Sequence, residues 1–280
     1  MTSPHESFTS LLDPEVEDAD EETFLLYSQP IPSQNLGFVD PTAHSIDVSL
    51  AGRDLTIYQS PTILSSNRAG GTTGAVLWKV TPLFSEWLSS PTNILFSSNT
   101  LNRSSAVLEL GCGISPLNAL ALAPRLGRYV LTDQPYVQKL IQQNLAENPP
   151  PRRASYAPVL FKTLDWETDE VTSSLTGDAA IRSFDAVLAC DCVFNYALVQ
   201  PFVQACVDVC RLRTRDDGKP CVCIVAQQLR NDEVFQSWLE TFLSFYHVWR
   251  MPDKNLPEDL RSTKGFVVHI GILRESNPDK

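Results

Sequence analysis

The sequence predicts an α/β fold, a mostly parallel sheet with helices on both faces, and three observations carry that prediction. Ala106 to Ala123, AVLELGCGISPLNALALA, reads as a buried strand, a glycine turn and the start of a helix. Val107, Leu108 and Leu110 supply the apolar strand, Gly111 and Gly113 permit a tight turn with close backbone approach to a ligand, and Ser115-Pro116 read as an N-cap followed by the first helical residue. Second, the apolar run Tyr129 to Thr132 ends in Asp133, 22 positions after Gly111, where the second strand of a doubly wound sheet presents a carboxylate to ribose hydroxyls. Third, apolar runs and helical spacings go on alternating down the chain, as in repeated strand-helix units.

The elements follow in order. Ser45 to Ser60 alternates as two strands around a turn at Ala51-Gly52-Arg53-Asp54, an N-terminal hairpin ahead of the main domain. The glycine-rich loop Gly70-Gly71-Thr72-Thr73-Gly74 leads into Ala75 to Leu88, whose apolar spacing suits a helix broken near Pro82. The sheet opens at Val107. After Asp133 a helix is expected from about Pro135 to Glu147, a third strand at Val159 to Leu164 ending in Asp165-Trp166, a fourth at Phe184 to Cys190, and a helix at Ala197 to Arg213. Cys221 to Gln227 is the fifth strand and Asp232 to Phe245 an amphipathic helix. His247 to Met251 and Gly265 to Leu273 have no helix pattern between them and are expected as an antiparallel pair at the sheet edge, completing seven strands.

Composition bounds the function. A chain of 280 residues can hold one large α/β domain with an N-terminal extension. The expected division is an acidic, largely disordered leader over 1–44, the hairpin extension over 45–69 and the catalytic domain over 70–280. Asp13 to Glu22 carries seven acids in ten residues and reads as a solvated leader. No apolar segment approaches the roughly 20 residues that cross a bilayer, and MTSPHESFTS lacks the basic and apolar regions of a signal peptide, so no membrane partner and a cytoplasmic or nuclear location are expected. The net charge of −11 argues against direct binding of nucleic acid and favours a basic protein partner. The seven cysteines form no C-x2-C pair; they read as buried thiols, and no metal site is expected.

Strand, glycine turn, helix and acid together describe a nucleoside site. A dinucleotide fingerprint needs a third glycine for close helix-strand packing, and here that position is Pro116, which disfavours NAD.

The combination of GGTTGAVLW ending at Trp78, LELGCG, LTDQ with Asp133, LDW with Trp166 and ACDCVF at the fourth strand resembles the family 16 protein-lysine methyltransferases, over roughly Gly70 to Leu273. Within that family the acidic leader, the hairpin and the Gly-Thr-Thr-Gly spacing before Trp78 are most similar to fungal members that act on a large-subunit ribosomal protein. The resemblance implies a Rossmann-like, seven-stranded class I methyltransferase sheet, S-adenosylmethionine as cofactor, and a protein substrate, basic and ribosomal or otherwise translation-related, met by a monomeric enzyme. It also implies that Trp78, Glu109, Gly111, Cys112, Gly113, Asp133, Trp166 and Ala189 bind the cofactor. The family's D-x-x-Y element stands here as Asp191-Cys192-Val193-Phe194, with Phe in place of Tyr and Tyr196 two residues on.

Methyl transfer from a sulfonium to an amine is an in-line displacement, so the protein has to align donor and acceptor and exclude water. The lysine amine must arrive neutral, which an apolar, aromatic-lined channel favours by desolvation. Asp191, at the carboxyl end of the fourth strand, is the candidate catalytic residue, as acceptor for the substrate amine; its plain alternative is a cap for the helix at Ala197. Trp78 and Trp166 have core packing as theirs, and His247 and His269 are assigned no catalytic part. A small-molecule or nucleic-acid methyltransferase on the same sheet and a non-catalytic scaffold remain as other readings. The first of these is weakened by the lack of prolines after Asp191, and the second by the presence of Asp133 and the glycine turn.

Overall fold

In the computed structural model, residues 8–33, 35–68, 71–151, 155–213 and 219–275 are described. Among them run ten strands: β1 (Glu15–Val16), β2 (Ser45–Leu50), β3 (Arg53–Tyr58), β4 (Ala106–Leu110), β5 (Arg128–Asp133), β6 (Val159–Thr163), β7 (Ala186–Cys190), β8 (Val222–Gln228), β9 (Tyr246–Arg250) and β10 (Phe266–Leu273). The main sheet has the order β1-β9-β10-β8-β7-β4-β5-β6, parallel from β8 to β6, with β10 antiparallel to both β8 and β9. The expected seven strands and antiparallel pair are all present. β1 adds an eighth strand beyond the expected edge, pairing Val16 with Val248.

Central strands covered on both faces read as unbroken apolar runs. β4, β7 and β8 are buried along their whole length. The sheet divides the core into two halves. On one face Val107, Leu131, Ile224 and Ile270 pack with Phe84 and Leu88; on the other Leu108, Leu110, Val130 and Val187 pack with Phe202, Trp238 and Phe242.

The leader departs from expectation. Residues 13–27, inside the segment expected to be disordered, form β1 and α1 (Ala19–Tyr27), with Asp18 capping the helix by accepting from the amides of Asp20 and Glu21. Composition misleads there because the acids are partnered from far along the chain. Glu22, only 5% exposed, accepts from Arg250 and from the Nε2 of the fully buried His269, and Asp13 pairs with Arg250. Burial alone would raise the Glu22 carboxyl; the hydrogen bond and charge of His269, joined by Arg250, outweigh it and hold it below its ordinary value. The first seven residues of the expected leader lie outside the described ones.

The hairpin stands as expected, β2 and β3 joined by Ala51-Gly52 with both residues at positive φ, the backbone of a tight primed turn. It does not stand apart from the main domain. The amides of Thr56 and Tyr58 donate to the side chains of Asn148 and Asn144, after and within the helix α4 (Gln138–Glu147), and Arg53 donates to the carbonyl of Pro149.

Helix α2 (Val80–Ser89) starts later than expected and is not broken at Pro82, because Pro82 falls in its first turn, where the missing N–H has no intrahelical partner to lose. Helix α3 (Leu117–Leu122) starts after Pro116, one residue later than expected, while Ser115 Oγ accepts from the amide of Leu117. α5 (Tyr196–Arg211) and α6 (Asp232–Leu243) lie within two residues of the expected bounds, and α4 (Gln138–Glu147) starts three residues later than expected, after a 3-10 turn over Pro135–Val137. No helix among the described residues is long and apolar enough to cross a membrane.

Candidate functional site

The sheet order reverses at β4, which has β5 on one side and β7 on the other. Open α/β sheets leave a crevice at the carboxyl ends of the strands at such a reversal, and here it is a cavity of about 370 Å³. Its floor is the glycine turn after β4. Gly111 and Gly113 have φ of 65° and 56°, where a side chain would be strained. Space forbids one as well, since a Cβ on Gly111 would lie 2.8 Å from Cys192 Sγ and 2.9 Å from Trp166 Cζ2, and one on Gly113 2.9 Å from the carbonyl oxygen of Gly74.

The turn is held from two sides. Asp133, the last residue of β5, accepts from the amide of Gly113 at 2.8 Å and from the amide of Gln134 at 2.7 Å, one bond to each carboxylate oxygen. Burial pushes its carboxyl up to about 6, against the pull of those two amides. From the other side the loop at residues 71–74 closes down: Ile114 donates to the carbonyl of Gly74, and Gly74 donates to the hydroxyl of Tyr136.

Aromatic walls complete the cavity. Trp166, following β6, contacts Phe202 at 5.3 Å between ring centroids, and its buried Nε1 has no hydrogen-bond partner. Asp165 accepts from Gln134 Nε2 beside it. Trp78 donates to the carbonyl of Thr73 and has Phe38 against it at 4.5 Å. These features fit a nucleoside with a compact tail: turn amides near a carboxylate, flat apolar rings, and a buried indole N–H still owed an acceptor.

Trp78, Gly111, Cys112, Gly113, Asp133, Trp166 and Asp191 all line this cavity. Glu109 and Ala189 do not. Ala189 is fully buried in β7 behind the lining residue Cys190. Glu109 points into the core, where its Oε1 accepts from Asn118 Nδ2 at 2.8 Å and its Oε2 from the Tyr129 hydroxyl at 2.7 Å. Asn118 in turn accepts from Ser85. Burial raises the Glu109 carboxyl to about 7. The strand alternates faces, so a residue two before the turn glycine faces inward and ties α3 and β5 to the turn instead of reaching the cavity.

Asp191 is the site residue whose setting departs most from expectation. Its φ is 62°, a conformation that costs on the order of 1–3 kcal/mol for a residue with a side chain. It does not cap the next helix; Asn195 does, accepting from the amide of Leu198. Its carboxylate, 2% exposed, is gripped by both terminal nitrogens of Arg230, Nη1 donating to Oδ1 at 2.8 Å and Nη2 to Oδ2. Sequence reasoning missed Arg230. It stands two residues past β8 with no motif around it, and its partner is 39 positions away. Phe194 and Asn195 also line the cavity, Phe194 with 39% of its surface exposed.

A 29% identical relative is a Schizosaccharomyces pombe protein named diaminohydroxyphosphoribosylamino-pyrimidine deaminase, covering 83% of this chain and 53% of its own length, so the chain spans about half of that protein. Ribosomal lysine N-methyltransferase 5 of Zygosaccharomyces rouxii is 29% identical over 70% of this chain and 72% of its own, and further fungal proteins of that name are 23% to 28% identical. Among solved structures, the methyltransferase domain of bacterial CtHen1 superposes with a TM-score of 0.45 at 15% identity, over 68% of this chain and all of that one. The family model described as lysine methyltransferase matches residues 58–242. Every residue lining the cavity, from Gly71 to Arg230, falls within that span, and the chain belongs to the lysine methyltransferase family.

Proposed function

We propose that this chain transfers a methyl group from S-adenosylmethionine to the ε-amine of a lysine in a large-subunit ribosomal protein, in the cytoplasm or the nucleus. The observation that carries the reading is the junction of Asp133 with the Gly111–Gly113 turn under two tryptophans, a cradle in which no side chain fits beneath the ligand. The family match supports lysine as acceptor, and the fungal relatives named for ribosomal lysine methylation support the substrate class.

S-adenosylmethionine, when bound, supplies an electrophilic methyl group on a sulfonium. The chain's own residues do the rest. Asp133 would accept from ribose hydroxyls with the lone pairs that its two amide donors leave free. The unpartnered Trp166 Nε1 and the flat face beside Gly111 suit a polar heterocycle. Trp78, Phe194 and Leu198 exclude water where the amine must approach in line with the breaking bond. No general base of high pKa is needed, because a desolvating aromatic channel lowers the fraction of amine held as ammonium.

The test is direct. Purified protein is incubated with radiolabelled S-adenosylmethionine and salt-stripped large ribosomal subunits from a strain lacking its own ribosomal lysine methyltransferases. Label is expected on one subunit protein, as methyl-lysine by mass spectrometry. Label confined to small molecules, or to non-ribosomal proteins in a whole lysate, would replace the substrate assignment.

A further inference from the structure

Arg230 does more than neutralise one carboxylate. Its two terminal nitrogens hold Asp191, Nη2 also donates to Gln228 Oε1 at 3.1 Å, and Nε donates to the carbonyl of Leu36 at 3.1 Å. The guanidinium carbon lies 4.9 Å from the centre of the Trp78 ring. All three nitrogens of one side chain are therefore spent on three separate stretches of the chain, and its flat face meets a fourth.

The stretch at Leu36 is a strap across the back of the cavity wall. Phe38 bridges to Trp78, Val39 donates to the carbonyl of Leu77 at 3.1 Å, and Lys79 donates to the carbonyl of Gly37 at 2.8 Å. Gly37 has φ of 90°, and a Cβ there would lie 2.2 Å from Gln228 Oε1 and 2.6 Å from Arg230 Nη2. The backbone thus passes against the guanidinium with no room for a side chain. The strap makes the outer layer, Trp78 and Arg230 the inner one.

The Asp191 side chain is 2% exposed, at the wall of a cavity where the amine has to be uncharged. An unpaired carboxylate there would favour ammonium, since an opposite charge within about 4–6 Å raises an amine pKa by 1–3 units. Arg230 cancels that charge. The other charged groups around the pair are Asp232 and Glu233 in the first turn of α6, Lys79 beside Trp78, and Asp133, Asp165 and Glu167 on the cavity wall, all of which the Arg230 and Asp191 variants leave unchanged.

We infer that Arg230 is the positioning residue of this site: its guanidinium pins the 36–39 strap and Trp78 in place and neutralises Asp191, so that the side of the cavity formed by Asp191 adds no net negative charge where the substrate lysine is met. This rests on the lysine methyltransfer proposed above.

Two variants separate the clamp from the charge. Arg230→Lys keeps the positive charge but loses the planar fork; Arg230→Gln loses both. Hydrogen exchange on the full chain, with no substrate present, is expected to speed up at the amides of Val39 and Lys79 in both variants, and in Gly37→Ala. Unchanged exchange at those amides overturns the clamp.

The charge is read from the pH profile of methylation of salt-stripped ribosomal subunits. The rate rises with pH as the amine deprotonates. Arg230→Gln is expected to move that rise to higher pH by about one unit or more, Arg230→Lys is expected to leave it in place, and Asp191→Asn combined with Arg230→Gln, a neutral pair, is expected to bring it back. A profile in Arg230→Gln that coincides with the wild type overturns the charge argument. If the wild-type protein labels no substrate, the methyltransfer reading itself fails, and the exchange data still decide whether the clamp exists.

Discussion

Asp133 shows what one side chain can report. Its carboxyl is pushed up to about 6 by burial, so in the empty cavity it gains its proton within the range of ordinary buffers. Accepting from ribose hydroxyls requires the carboxylate, so protonation competes with cofactor binding. Affinity for S-adenosylhomocysteine is expected to fall about tenfold between pH 7 and pH 5, one factor of ten per unit below the folded pKa. Calorimetry across that range checks it; Asp133→Asn should bind at least tenfold more weakly at pH 7 and lose the pH dependence. The same raised pKa acts on stability in a fixed direction. The folded form holds the proton more tightly than the unfolded chain, so the group's contribution is favourable below about pH 4 and declines as pH rises through about 6. Asp133, Gly111 and Gly113 were legible in the sequence because strand alternation and local spacing fix their place, whereas Trp166 reads from spacing alone as core and only the family resemblance assigns it to the pocket. Glu109 was legible as part of the motif but not as a core residue, and Arg230 was not legible at all, since its partners come from Leu36, Asp191 and Gln228, which only the fold brings together.

At the scale of elements, β1 and α1 carry the main correction. A run of acids in a sequence signals solvation only while its partners are unknown. Arg250 and His269 lie 228 and 247 positions from Glu22, too far for any local pattern to reveal. Leu26, fully buried on the same helix, anchors it from the apolar side. Leu26→Ala is expected to cost about 2–5 kcal/mol, by lost transfer energy and the cavity left behind. Denaturant unfolding checks this: a loss within about 0.5 kcal/mol would mean that α1 is not docked. The parallel strands, by contrast, were readable almost to the residue, because a strand covered on both faces must be apolar throughout. Helix starts were less secure. Pro82 marks a helix end in one context and a first turn in another, and only the preceding chain path, set by the bridge of Phe38 to Trp78, decides which.

For the whole molecule, charge and topology act together. The sheet reversal at β4 fixes where the cavity opens. If the substrate is the basic ribosomal protein proposed above, the net charge of −11 sets how it arrives. Association steered by opposite charge weakens as salt shortens the Debye length from about 30 Å at 0.01 M to about 8 Å at 0.15 M. The KM for ribosomal substrate is therefore expected to rise several-fold over that interval while kcat stays level. Steady-state kinetics at fixed pH decide it, and a flat KM would mean that contact chemistry, not the overall field, recruits the substrate.

All seven cysteines are free and buried, and their placement makes the chain its own clock. Cys112, Cys190 and Cys192 sit in the cavity wall, whereas Cys206 and Cys223 are 0% exposed in the core between the sheet, α5 and α6. A thiol reagent can reach the first group through a local opening, but the second only when the sheet comes apart. Burial also pushes the thiols of Cys112, Cys190, Cys192 and Cys223 upward, so little thiolate exists until they are exposed. Labelling followed residue by residue would then separate breathing of the cavity from global unfolding, and a bound cofactor should slow the former far more than chance collision would allow.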